Sequence, residues 1–201
     1  MIRVPPGRAG QVWLRRRRAT AARGVDILAR KQHLLAEERS QRGALADAAR
    51  LAWIDACEDA ERWCSRALRL AHHAQIPMVA SQLRSPASVE VEWHNVMAVA
   101  IPASARCRLP DVTIPGGSGG SAATEQAVAA LSLAVEKALD HALIQRALAN
   151  IDAELLQTRR RLRLLERRRL HQLDAALASG AERLEESERE DILRLRWARG
   201  H

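Results

Sequence analysis

Histidine and cysteine are the side chains here with the most telling chemistry, and their spacing assembles no reactive site. Folding the chain back on itself could bring His72 or His73 near His141, with His171 elsewhere. A tetrahedral or octahedral metal site needs further ligands, and no spacing supplies them, so ordinary surface histidines are expected. Cys57, Cys64 and Cys107 form no CxxC pair and leave one thiol over in any intramolecular disulfide scheme, which predicts a reduced compartment. Cys57 and Cys64 lie seven residues apart, on one face of a helix, and read as small buried apolar residues. Gly116-Gly-Ser-Gly-Gly120 lacks the Gly-Lys-Ser/Thr ending and the preceding buried strand of a phosphate loop, and reads as a linker. The expectation is a chain with no catalytic residue, no metal and no cofactor.

The apolar content is 47 % but contains no Phe and no Tyr, so it is mainly Ala, Leu and Val with five Trp. Such material suits thin, closely packed helices better than a thick aromatic core. Lys+Arg of 32 against Asp+Glu of 24 gives +8, which brings nucleic acid, anionic membranes and acidic proteins into question as partners. Met1 to Gly10 carries two prolines and two arginines where a secretory signal needs an apolar run, so the mature protein is expected to start here. The longest apolar run, Ala127 to Val135, ends at Glu136, far below the roughly 20 residues that span a bilayer.

Proline is absent from Val12 to His73, and Leu14, Ala21, Leu28, Leu35, Ala49, Ala56, Trp63 and Leu70 recur every seven residues, with a break at Arg42. Val25, Ala46, Trp53, Ala60 and Ala67 make a second series. A second proline-free stretch, Ala122 to Trp197, steps through Val128, Leu131, Val135, Ala138 and Ala142 and continues at Leu148, Leu155 and Leu162. After Leu162 the spacing slips before resuming at Leu170, Leu177 and Leu184, with Gly180 as a weak point. The expected fold is mainly α: two long helices paired antiparallel as a coiled coil, with a short middle. Arg15, Arg16, Arg17 and Arg18 would then approach the acidic run Glu182 to Asp191, although exposed ion pairs give only about 0 to 1 kcal/mol each.

Between the helices, Val89, Val91 and Trp93 alternate with Glu90, Glu92 and His94, a half-buried strand pattern. Val96 to Ile101 is expected to prolong that strand, and Arg108 to Ile114 to supply the return strand of a small hairpin. The expected organisation is an N-terminal extension at 1–10, a helix at 11–75, a middle at 76–121 and a second helix at 122–198. Trp53 and Trp63 read as packing residues, whereas Trp93 fits either core or partner contact.

The run Leu14-Arg-Arg-Arg-Arg-Ala-Thr-Ala-Ala-Arg-Gly-Val-Asp-Ile-Leu-Ala-Arg-Lys31 resembles the opening signature of the D subunit of V-type ATPases, chiefly through Arg23, Gly24, Asp26, Leu28, Arg30 and Lys31. Asn95-Val-Met-Ala-Val-Ala-Ile-Pro102, Thr158-Arg-Arg-Arg-Leu-Arg-Leu-Leu-Glu166 and Leu184 to Arg196 resemble later segments of that family, in order. The chain departs at Ala98, where the family favours Gly, at Arg163, where it favours Asn, and at Ile192 and Leu193, where aromatics are usual.

The resemblance implies the central-stalk rotor shaft of a vacuolar or archaeal-type rotary ATPase. Its paired ends enter the catalytic hexamer of A and B subunits, and its other end engages the F subunit and the cap of the membrane rotor ring, at the cytoplasmic face of a membrane. Such a shaft couples ATP turnover to proton or sodium movement without itself binding nucleotide, nucleic acid or membrane. On that reading, Arg15, Arg16, Arg17, Arg18, Arg23, Leu193 and Arg196 are the expected hexamer contacts, with solvated or intramolecularly paired arginines as the alternative. Val96 and Met97 either meet the F subunit or pack on the helices. The seam residues are Leu14, Leu28, Leu35, Ala49, Ala56, Trp63, Leu70, Val135, Leu155, Leu162, Leu177 and Leu184. The rival functions are a basic coiled-coil nucleic-acid binder, for which no readout motif or stacking platform is present, an adaptor, and the gamma shaft of an F-type ATP synthase.

Overall fold

The computed structural model describes residues 4–70, 77, 81, 86–110 and 121–200. Helix α1 runs Gly7–Leu70, strands β1 (Ser88–Val96) and β2 (Val99–Arg108) form an antiparallel hairpin, and helix α2 runs Ser121–Leu164. A π-helical turn, Leu165–Leu170, leads into helix α3, His171–Arg199. The protein is therefore mainly helical, with the hairpin in the middle of the chain. Its contacts divide it into two compact units, one of residues 1–34 and 155–201, the other of residues 35–154.

In the first unit α1 lies antiparallel to α3. Arg8 pairs with Glu188 at 2.7 Å, the Gln11 amide donates to the Leu177 carbonyl at 3.2 Å, and Arg18 pairs with Asp174. Leu14, Leu155, Thr158 and Leu173 are buried there. Helix α1 begins ahead of the expected residue 11, at Gly7, whose φ of +68° needs glycine. A side chain at Gly10 would collide with the Pro5 carbonyl oxygen. Gly180 also has a packing reason: a Cβ there would lie 2.8 Å from Gln11 Nε2.

In the second unit α1 and α2 meet largely through alanine. Ala56, Ala60 and Ala134 form one buried cluster, and Ala67, Ala123 and Ala127, flanked by Trp63 and Cys64, form another. Trp53 stacks on His141 at 5.4 Å, and Arg39 pairs with Asp152 at 2.5 Å. The hairpin is held by Asn150 donating to the Ala100 carbonyl at 2.8 Å and by the buried Ile101.

Several expected positions move. Leu70 is 61 % exposed at the end of α1, where Ala67 is the buried residue, and Val135 is 41 % exposed because the buried α2 position is one residue earlier, at Ala134. Hydrophobicity favoured the longer side chains, but the smaller ones let the backbones approach. Arg42 does not break the α1 series: its guanidinium is half-buried and paired with Glu38 at 2.6 Å. Leu28, Ala49, Trp63, Leu162, Leu177 and Leu184 are half-buried, while Leu14, Leu35, Ala56 and Leu155 are buried. The slip after Leu162 coincides with the π-helical turn, which takes up one extra residue before the buried Leu173.

The hairpin turns earlier than expected. Val96 to Ile101 does not prolong β1; it contains the Met97-Ala98 turn, and the return strand is Val99–Arg108 instead of 108–114, of which 111–114 lie outside the described residues. Met97 and Ala98 both have positive φ, 51° and 63°, the conformation of a two-residue type I′ turn. A left-handed residue with a Cβ costs about 1–2 kcal/mol. Ala98→Gly should therefore slow amide exchange in β1 and β2 several-fold, measured by hydrogen–deuterium exchange. Gly43 lies inside α1 with nothing within 4 Å of a would-be Cβ. Gly43→Ala should raise the unfolding free energy by about 0.5–1 kcal/mol in urea titration.

Candidate interaction surfaces

Among the described residues, those that could do chemistry do not converge. His72, His73 and Gly116 to Gly120 lie outside the described residues. His141 is engaged by Trp53, and its Nδ1 is buried with no hydrogen-bond partner. Among the described residues, no group of three or more His, Cys, Asp or Glu is placed to hold a metal ion. Cys57 is exposed, which corrects its expected burial, whereas Cys64 packs beside the Ala67 cluster. Among the described residues, no helix is long and apolar enough to cross a membrane.

What the fold presents instead is contact surface. Arg15, Arg16 and Arg17 are exposed, with the Arg17 guanidinium 4.7 Å above the Trp13 ring. Of the four arginines expected near the acidic run, only Arg18 has an ion pair among the described residues, and its partner is Asp174; Arg8 is the residue that reaches Glu188. The difference follows from the pairing register, which carries the acidic stretch past the end of the arginine run. Arg23 donates to the Thr20 hydroxyl at 3.4 Å. Leu193 and Arg196 are exposed near the end of α3, beside Ile192, Leu195 and Trp197. Hydrogen bonds and Coulomb attraction raise the Arg8 pKa through Glu188 and the Arg39 pKa through Asp152. Both guanidinium groups remain cationic throughout the accessible pH range.

The hairpin offers a different surface. Val89, Val91 and Trp93 alternate along β1 and are 49 %, 37 % and 56 % exposed, so the apolar side of the strand is not buried by the helices. The opposite side carries Glu90 and Glu92, the latter accepting from Ser104 at 2.7 Å. Val96 is half-buried, whereas Met97 at the turn is 46 % exposed. Trp53 and Trp63 are half-buried at the helix pairing, with Arg66 4.9 Å over the Trp63 ring. The alternation in sequence identified the strand, but its expected half-burial is not found: β1 is exposed on both faces from Ser88 to Asn95.

The two environments predict opposite responses. Trp53→Ala removes the stack on His141 and should cost about 2–4 kcal/mol of stability, less than a fully buried Trp. Trp93→Ala should change it by less than about 1 kcal/mol. Urea unfolding of the two variants of the full chain checks the contrast.

A profile of the family described as the ATP synthase D subunit matches residues 11–200. A search of curated proteins gives no significant match.

Proposed function

Because the chain belongs to the ATP synthase D-subunit family, a family of rotary ATPase stalk subunits, we propose that it is the central-stalk shaft of a V-type or archaeal-type enzyme. In this role it has no catalytic site and couples ATP hydrolysis or synthesis in a hexamer of A and B subunits to proton or sodium translocation. The observation that carries the reading is the family match over nearly the whole chain, on a fold of two long helices separated by a short hairpin. The compact middle supports the V-type side. Strands β1 and β2 are joined directly by Met97 and Ala98, leaving no place within the hairpin for an alternating strand–helix domain of the F-type gamma shaft.

A shaft works by presenting different sides of itself to identical surroundings, so its requirement is stiffness and asymmetry. The alanine clusters favour a thin pair of helices, while Leu14, Leu35 and Leu155 resist their separation. We assign Arg15, Arg16, Arg17, Arg18, Arg23, Leu193 and Arg196 to the hexamer interface, and Val96 and Met97 to the F subunit. A helix at 11–75, a middle at 76–121 and a helix at 122–198 are the working parts in this scheme, with the cap of the rotor ring as the third partner. The complex then lies at the cytoplasmic face of a membrane.

Tagged full-length protein purified from its own cells should bring down the hexamer subunits and the F subunit together with ATPase activity. Recovery of nucleic acid or of unrelated proteins in their place overturns the reading.

A further inference from the structure

The hairpin has two outer edges, and their surroundings differ. Val96 and Val99 flank the Met97-Ala98 turn, so their backbone polar groups point toward each other. In an antiparallel pair the groups of the next two residues, Asn95 and Ala100, then point away from the partner strand. The Ala100 carbonyl follows this alternation: it accepts from the Asn150 amide of α2 at 2.8 Å. Two residues further along β2 the next outward place belongs to Pro102, opposite Trp93, which has no N–H to offer. The β2 edge is therefore closed near the turn by a side-chain amide and a proline.

Strand β1 is the reverse case. The register shift at Glu92/Trp93 leaves the extra residue, Ala103, on β2, so the alternation of β1 is unbroken and its outward backbone groups are those of Asn95, Trp93, Val91 and Val89. Among the described residues these groups have no hydrogen-bond partner, and Ser88 to Asn95 is exposed throughout. Neither proline nor lysine, the residues that commonly blunt such an edge, occurs in β1.

The side chains along this edge are sorted by face. Val89, Val91 and Trp93 stand on one face, and Glu90 and Glu92 on the other. Arg106 and Arg108 lie one strand away on β2; Arg108 approaches Glu90 only to 4.0 Å, and Glu92 accepts from the neutral Ser104 hydroxyl. A strand laid against β1 would therefore set alternate side chains beside carboxylates and beside apolar groups. A second copy fits poorly. Two β1 strands paired antiparallel about Val91 would place Glu90 of each opposite Glu92 of the other, a like-charge pairing that disfavours association.

We propose that the outer edge of β1 takes up, by strand addition, an extended segment of a protein partner in which Lys or Arg alternates with apolar residues. Backbone hydrogen bonds to Val89, Val91, Trp93 and Asn95 attach the segment, Glu90 and Glu92 select its basic side chains, and the Val89, Val91 and Trp93 side chains cover its apolar ones. The inference goes beyond the shaft reading and does not depend on it.

The test adds a capped peptide of alternating Lys and Val, nine residues like β1 itself, to the full-length chain and follows exchange at individual amides by NMR. The expected result is several-fold slower exchange at Val89, Val91, Trp93 and Asn95, with little change at Glu90, Glu92 and His94, which already point into the hairpin. A peptide of alternating Glu and Val should have no effect. Val91→Pro removes one outward N–H and should abolish the response, while continued protection at Glu90 and Glu92 shows that the hairpin of this variant is intact. The proposal is overturned by an absent response, by slowing that does not alternate, by equal action of the Glu peptide, or by an unaltered response of the Val91→Pro chain. Slowing that appears without peptide and grows with protein concentration overturns it in favour of a second copy at the same edge.

Discussion

Two helices can stay paired over many turns only if the residues between them repeat in step with both backbones, and here alanine occupies many of those places. On α2, residues 127, 134, 141, 148, 155 and 162 are all buried or half-buried, as are 123, 130, 137, 144, 151 and 158, a series that continues at 165 on the π-helical turn. These are two strict seven-residue series, and the first begins Ala127, Ala134. Alanine contributes little buried area per residue, but it permits the close approach that lets dispersion contacts accumulate along both backbones. Larger residues are then needed only at intervals, where Leu35, Ile151, Leu155 and Leu14 are buried almost completely.

The same constraint explains the irregularities. Helix α3 resumes burial at Leu173, eight residues after Leu165 instead of seven. Without a correction, every later side chain would be turned away from α1 by about 100°. The π-helical turn absorbs the extra residue, which keeps Asp174 against Arg18 and Glu188 against Arg8. Thr158 is a second irregularity: its hydroxyl is buried with no hydrogen-bond partner, at a cost of about 1–3 kcal/mol. We find no packing account of that choice over valine.

This also separates what could be read in the sequence from what could not. The α1 seam was legible because Leu14, Leu28 and Leu35 recur at seven-residue spacing in a stretch otherwise rich in Arg, Lys and Glu. The early part of α2 was not, because in Ala127-Val-Ala-Ala-Leu-Ser-Leu-Ala-Val135 nearly every residue is apolar, and choosing by size selects the wrong side. Only packing against Ala56 and Ala60 settles the register there. The hairpin was legible as alternation, but its turn was hidden because Met97-Ala98 replaces the glycine or asparagine that normally marks one. Among the surface arginines, spacing showed the charge, whereas which of them find a carboxylate depended on the pairing register.

A pair of helices with a narrow seam has little interior in which to build a reactive pocket, and its individuality must therefore lie on its surface. The distribution of that surface is uneven in kind. The hairpin exposes Val89, Val91 and Trp93, the end of α3 exposes Ile192, Leu193, Leu195 and Trp197, and the arginine segments expose charge. Apolar contacts are short-ranged and need a fitted partner, so they define a particular docked arrangement; charge acts over a Debye length of about 8–10 Å and tolerates sliding. Both kinds of surface are exposed here on separate stretches of chain, so fitted docking and charge-dependent attraction can come from different segments.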